Sequence, residues 1–404
     1  MRLASHYALG LLLSMIVACD KDEPDDTSTG QPTCKDDGDC VDGQQCVDGA
    51  CVAAPECSKS DDCEAGESCA EGQCVTPPCS DDADCSDGDV CESTACVPGC
   101  AEDSDCGGGE VCNAGHCGPD PAFWVVGDQG AVLRVNASGD VDVHPPAAAV
   151  ELLAIACHGD AMAWYVGAGG AAGRTVNGGA TWTPLALDVA ATLHDVTASP
   201  PMRVAVVGEG GTLLESENGE TFVAIAGAAG TLRGVDLSPE RAIAVAEDGA
   251  IWRHDRGAPT ATLVTATGAA LISVDLSDHG LHGAAVGLDG ALLWTEDGGE
   301  TWTPRSSGTN VDLHAVQVAS GRRSAVAVGD DGVVVRIDGD AVEVAHVTAA
   351  DLRAIHLNDQ GAGAAVGALG AVLITSDEAA SFVPIAAPVS VTLRGVDALG
   401  DHHW

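Results

Sequence analysis

Val126-Gly127-Asp128-Gln129-Gly130 and Leu393-Arg394-Gly395-Val396 are the first and last members of two short motifs that alternate along residues 121–404. The first, V-[GA]-x-x-G, begins at Val126, Val166, Val207, Val245, Val286, Val328 and Val366. The second, L-x-x-[VI], begins at Leu152, Leu193, Leu232, Leu271, Leu313, Leu352 and Leu393. Between them lie short segments rich in β-formers, such as residues 131–135, 212–216, 291–295 and 333–337, each followed by a turn and another strand. No stretch has helical periodicity. Four short strands recurring at a period of about forty residues are the sequence pattern of propeller blades.

The phase of the motifs fixes the blade number. Each motif occurs seven times, but the series opens on V-G and finishes on L-x-x-V. The first blade therefore lacks its L-x-x-V strand, and residues 393–396 are expected to supply it from the far end of the chain. Six or eight blades would leave a strand unpaired or missing, and an open sheet edge would invite aggregation. The expectation is an all-β, seven-bladed propeller closed by its C-terminal strand.

Turns between the outer two strands carry a second signature. Residues 295–302 (TEDGGETW) fit S/T-x-D-x-G-x-T-W, and residues 175–182 (TVNGGATW) match with Asn177 in the Asp place. Residues 216–222 (SENGETF) are one shorter, and residues 375–382 (TSDEAASF) have lost the glycine. The acid or amide should bind turn amides, the glycine should accept a positive φ, and the aromatic should pack between blades. On the V-G motifs, these Asp boxes and L-R-G-V strands such as residues 232–235, residues 123–397 resemble the photosystem II stability/assembly factor propellers, within the wider BNR/Asp-box group. The resemblance implies assembly or scaffolding rather than turnover. Such propellers also occur in bacteria without photosystems, so it implies no photosynthetic task.

The first 120 residues have another character. Arg2 precedes an apolar run at residues 8–18 (ALGLLLSMIVA), too short to cross a bilayer as a helix and suited to a signal-peptide core. It ends in Ile16-Val17-Ala18-Cys19, which resembles a lipobox and implies cleavage after residue 18 and lipidation of Cys19. Several acyl chains on one cysteine would anchor stably, at about 0.8 kcal/mol per buried methylene. Residues 19–33 are acidic and proline-containing, a tether without a core. The chain is thus expected to be exported and held by lipid in the inner or outer membrane of a Gram-negative envelope, Asp20 leaving the choice of membrane open.

Residues 34–117 hold sixteen of the eighteen cysteines in four copies of C-x5-C-x5-C-x4-C: Cys34, Cys40, Cys46 and Cys51; Cys57, Cys63, Cys69 and Cys74; Cys79, Cys85, Cys91 and Cys96; Cys100, Cys106, Cys112 and Cys117. Each unit is too small and too polar for a hydrophobic core, and disulfides replace one in an oxidising compartment. Zinc knuckles favour C-x2-C pairs, which these spacings lack. Three pairings per unit stay open. With an Asp before each second cysteine and a Gly three residues before each third, the units resemble Dickkopf N-terminal cysteine-rich repeats. Acids such as Asp37, Asp39, Asp82, Asp84, Asp103 and Asp105 suit either structural calcium or the solubility of a coreless module; no other cofactor is expected.

The charge balance, 61 acids against 17 Lys plus Arg, excludes nucleic acid and anionic lipid as partners of the bulk surface. No P-loop, dinucleotide fingerprint or serine elbow occurs. Sialidases share Asp boxes but need a tyrosine nucleophile, and Tyr165 sits beside Trp164 in an apolar strand where packing accounts for it. His158, His194, His282 and His356 lack ligand spacing, and Cys157 reads as an inert core residue. The second position of L-x-x-V holds His194, Arg233, His314, Arg353 and Arg394. If that strand is innermost, these five could gather at the channel and take an anionic ligand or acidic peptide. Alternatively, each pairs with nearby acids such as Asp195, Asp236 or Asp397. The expected function is a non-catalytic, monomeric binding or scaffolding module for a protein or glycan, with an envelope assembly factor and an Asp-box glycosidase as the alternatives.

Overall fold

The computed structural model describes residues 122–398, except 137, 145–149, 160, 278–279, 320–322 and 359–360, together with the backbone of eight short strands between residues 44 and 119. The chain divides into two compact units, residues 1–87 with 91–96, and residues 88–90 with 97–404. The eight strands form four two-stranded sheets, one per cysteine repeat, and each holds the third and fourth cysteine of its repeat. In three of them, the register sets Cys46 opposite Cys51, Cys69 opposite Cys74 and Cys112 opposite Cys117. The leader, Cys19, the tether, disulfide pairing and the calcium candidates lie outside the described residues.

Residues 122–398 form seven four-stranded antiparallel sheets, the blades of a propeller. Within each blade, strands a to d run from the axis outward. Strand a is Leu393–Ala398 in blade 1, then Leu152–His158, Leu193–Ser199, Leu232–Leu237, Leu271–Leu276, Leu313–Val318 and Leu352–Leu357 in blades 2 to 7. These seven strands neighbour one another in a closed cycle, so the L-x-x-V strands are the innermost. Blade 1 is completed from the chain's end as expected: Leu393 pairs with Gly127, Val396 with Val125 and Ala398 with Phe123.

Strand b is buried along its whole length in Arg203–Gly208 and Ala122–Gly127, because each blade is covered on both faces. Its small Ala, Val and Gly side chains let neighbouring sheets approach. The core is accordingly seven clusters, one at each junction between blades. Strand d shrinks to two exposed residues in blades 2, 3 and 5.

The V-G motif makes the b–c turn. In all seven blades the amide after its second residue donates to the carbonyl preceding strand a, as Asp128 does to Thr392 (2.9 Å) and Leu288 to Ala270 (3.0 Å). This close crossing explains the glycine: a Cβ at Gly287 would stand 1.9 Å from the Ala270 oxygen. The Asp boxes behave as expected. Asp297 accepts the amide and hydroxyl of Thr301 (2.9 and 2.6 Å), while Thr295 accepts the Gly299 amide (2.9 Å). Their aromatics Trp182, Phe222, Trp302 and Phe382 pack into junction clusters with the preceding blade.

Candidate functional site

Every strand a has a register shift between its first and third residues, as at Leu193/Asp195, Leu352/Ala354 and Leu393/Gly395. The second position, where the five candidate cations lie, is therefore the extra residue of a β-bulge. A bulge re-aims a side chain out of the regular alternation. It does so here at the mouth bounded by the b–c turns, where the ring of second positions reads Arg394, Leu153, His194, Arg233, Ile272, His314 and Arg353 from blade 1 to blade 7. The cations form two arcs, blades 6-7-1 and blades 3-4, separated by Leu153 and Ile272.

Both arcs are internally paired, with partners other than Asp195, Asp236 and Asp397. Arg394 Nε donates to Asp128 (2.5 Å), and Arg233 to Glu247 (3.0 Å). Arg353 donates to Asp351 (3.0 Å) and lies 3.5 Å from Asp330, which also holds His314 at 2.7 Å. Arg353 further touches His314 Nε2 (2.5 Å), as Arg233 touches His194 Nδ1 (3.5 Å). Most of these acids occupy the first position of the b–c turn. That position is acidic in blades 1, 3, 4 and 6, where strand a offers Arg or His, and is Ala168 or Leu288 where strand a offers Leu153 or Ile272. Blade 7 departs from the rule: Ala368 stands there, and Arg353 borrows Asp330 from blade 6. Burial lowers the pKa of His194, with Arg233 adding to the effect. It also lowers that of His314, which Asp330 opposes and Arg353 reinforces.

The third and fifth positions of strand a form a second layer, inside the channel. Their side chains bond backbone amides one blade onward. Asp195 accepts from Val235 (2.9 Å), Asp236 from Leu276 (2.9 Å), Asp275 from Val318 (2.7 Å) and Asp397 from Cys157 (2.6 Å). Gln317 does the same with both ends of its amide, accepting from the Leu357 amide (2.5 Å) and donating to the Leu357 carbonyl (2.8 Å). His356 reaches Asp397 at 2.6 Å. Inner strands of neighbouring blades share no sheet ladder, so these bonds stitch the ring at its axis. Crowding has a cost at Asp195: burial in the narrow channel, opposed by its two amide bonds and reinforced by Asp236 and Asp397, pushes its pKa up to about 7. This layer lines a cavity of about 680 Å³ that opens toward the a–b turns.

Cys157 was expected in the core; it is half-buried, on the wall of that cavity. Tyr165 is 2 % exposed between blades 1 and 2, 5.3 Å from Trp182 and against Gly173, away from either mouth, and burial raises its pKa. His158 ends strand a of blade 2, and His282 lies just before strand b of blade 5, near Trp294 (6.4 Å). Sequence reasoning missed a buried ionic bridge between blades 3 and 4. Arg203 donates to Glu215 (2.7 Å) and to the Ser238 carbonyl (3.1 Å). His254 contacts Glu215 through Nδ1 (2.6 Å) and the Ala258 carbonyl through Nε2 (2.9 Å). The one available signal was Arg203 itself, the charged residue opening an otherwise apolar strand b.

No family model matches the sequence, and no curated protein matches it. Among solved structures, one titled "YCF48 bound to D1 peptide" is 17% identical, over 61% of this chain and 90% of its own, with a TM-score of 0.49. "YCF48 from Cyanidioschyzon merolae" is 18% identical, over 60% and 86%, with a TM-score of 0.48. The "WD40 beta propeller domain of Doa1" is 14% identical, over 62% and 86%, with a TM-score of 0.53. At such identities the likeness concerns fold alone, and the third comparison carries it: a β-propeller domain.

Proposed function

We propose that the protein is an exported, lipid-anchored recognition module that binds a protein or glycan at the b–c mouth of its propeller. The observation that carries this reading is the division of labour within strand a. The third and fifth positions face the channel and are engaged in stitching blades together. The second position sits on a bulge that turns it to the mouth, where paired Arg, His and acid side chains ring the opening. Such a ring offers directional donors and acceptors on a rigid frame, which is what selective recognition requires. The leader and lipobox-like cysteine support display at a membrane, with the cysteine repeats as spacer. Reaction chemistry has less support, since the one tyrosine of the propeller is packed between blades.

Purification of the lipidated protein from native membranes after cross-linking tests the reading. Wild-type protein should capture a discrete partner, and the double variant R353M/R394M, which removes the guanidinium donors without adding carboxylates, should lose it while keeping the wild-type circular dichroism spectrum. Undiminished capture by that variant would remove the b–c mouth from the proposal. Glycan hydrolysis by the wild-type protein, abolished by Tyr165→Phe, would replace the proposal with a glycosidase.

A further inference from the structure

The two ends of the propeller differ in their supply of cations, although exposed acids without an ion pair among the described residues, such as Asp140, Glu240 and Asp338, stand at the a–b and c–d end too. Toward the a–b and c–d turns, Arg174, Arg203, Arg241, Arg253, Arg256 and Arg323 each pair with a carboxylate. The b–c turns contain no lysine or arginine but seven acids. Three of these seven hold the second-position arginines: Asp128, Glu247 and Asp330. The other four, Glu209, Asp248, Asp289 and Asp331, are exposed and, among the described residues, form no ion pair. They stand on consecutive blades, 3 to 6, as one arc around the mouth.

An apolar side chain stands within this arc and another just beyond its end. Leu288, 37 % exposed, adjoins Asp289 in blade 5, with half-buried Ile272 below it on strand a. Leu369, 79 % exposed, projects from the tip of the blade 7 turn, where other blades place Gln, Gly or Asp. That turn packs beside strand a of blade 1. A carboxylate arc with one leucine within it and another just beyond its end suits a ligand that alternates positive and apolar groups.

Resting on the reading of the b–c mouth as a recognition face, we infer that its partner is a protein segment bearing lysine or arginine side chains interspersed with apolar ones, laid along blades 3 to 7. Charge complementarity selects this occupant. Nucleic acid and anionic membrane are repelled by the same arc, and a second copy of the chain would bring like charges together. The lysines or arginines meet Glu209, Asp248, Asp289 and Asp331, and the apolar residues cover Leu288 and Leu369.

The test uses the full chain and two fluorescent peptides of alternating sequence, Lys-Leu and Glu-Leu, followed by anisotropy. The Lys-Leu peptide should bind and the Glu-Leu peptide should not, with affinity falling as salt is raised to about 0.3 M. D289K/D331K should weaken binding by about tenfold or more, and Leu369→Ser by several-fold. D140K/D340K, on c–d turns at the other end, should change it less than about twofold. Equal losses from the two charge-reversed pairs, or full binding by D289K/D331K, would overturn the inference as non-specific attraction. Absence of Lys-Leu binding while native capture still depends on Arg353 would also overturn it, yet leave the recognition reading in place.

Discussion

Asp195 illustrates how one side chain can run against the usual effect of pH on stability. Its pKa in the folded chain, about 7, lies above the ordinary carboxylate value of 3.8. Between those values the folded protein holds a proton that the unfolded chain has released, so stability declines as pH rises through that window and levels off above it. Asp195→Asn keeps an acceptor for the Val235 amide and removes the titration. Denaturant melts at pH 5 and pH 7.5 should show the variant gaining on wild type by about 2 kcal/mol at the higher pH. The difference between the two proteins isolates the residue, because His194 and His314, with lowered pKa values, push stability the opposite way. Leu369 offers a second residue-scale prediction. Its φ of +58° is left-handed backbone that a bulky side chain resists, and its side chain is in solvent. Leu369→Gly should therefore raise thermal stability by about 0.5–1 kcal/mol, an outcome opposite in sign to its expected effect on binding.

Turns and blade junctions decide stability at the scale of elements. In the blade 7 Asp box, partial burial opposes the Asp377 charge, but bonds from the Ser381 hydroxyl and amide and from Thr375 outweigh it and lower the pKa. A carboxylate lowered in the fold stabilises above its unfolded pKa and loses that contribution as pH falls through the folded value. Asp377→Ala should cost about 1–2 kcal/mol at neutral pH by chemical denaturation, and the difference from wild type should shrink in acid. At the junction of blades 3 and 4, Glu215 lies between Arg203 and His254, all under 9 % exposed. Glu215→Leu would strand at least one buried cation, and a loss of about 3–5 kcal/mol is expected. Much of this scale was legible beforehand. The strand phase and the Asp boxes follow from side chains that must be small, apolar or turn-forming, whereas the inner position of L-x-x-V entered only as a condition that the resembling propellers suggested. The bulge was not legible, because it inserts a residue without altering the motif's spelling. For the same reason the second-position cations could be named from the sequence, but not their partners: the acids that hold them lie in turns or in the residue before strand a, and one of them, Asp330, reaches Arg353 from another blade, whereas the nearer Asp195, Asp236 and Asp397 are drawn onto backbone amides.

Closure is the property of the whole molecule on which its other features depend. Blade 1 takes three strands from residues 122–144 and its innermost strand from residues 393–398, so folding must join segments at opposite ends of the propeller. The same strand contributes Leu393 and Val396 to the core between blades 7 and 1, Asp397 to the channel stitching, and Arg394 to the mouth. Deleting residues 393–404 would therefore do more than shorten the chain. It would expose the Ala122–Gly127 edge, uncover Phe123, Val125 and Val366, and remove Arg394 from Asp128 and Asp397 from His356. An open edge with apolar flanks pairs with other chains. The truncated protein should elute as soluble aggregate on size exclusion and lose its cooperative thermal transition. A milder cut after residue 398 leaves all five pairs of the closing register in place and should melt within about 2 °C of the full chain. Were the first truncation to remain monomeric and cooperative, the velcro between the chain's two ends would have to be dispensable, and the mouth built partly from Arg394 could no longer be treated as part of a single rigid ring.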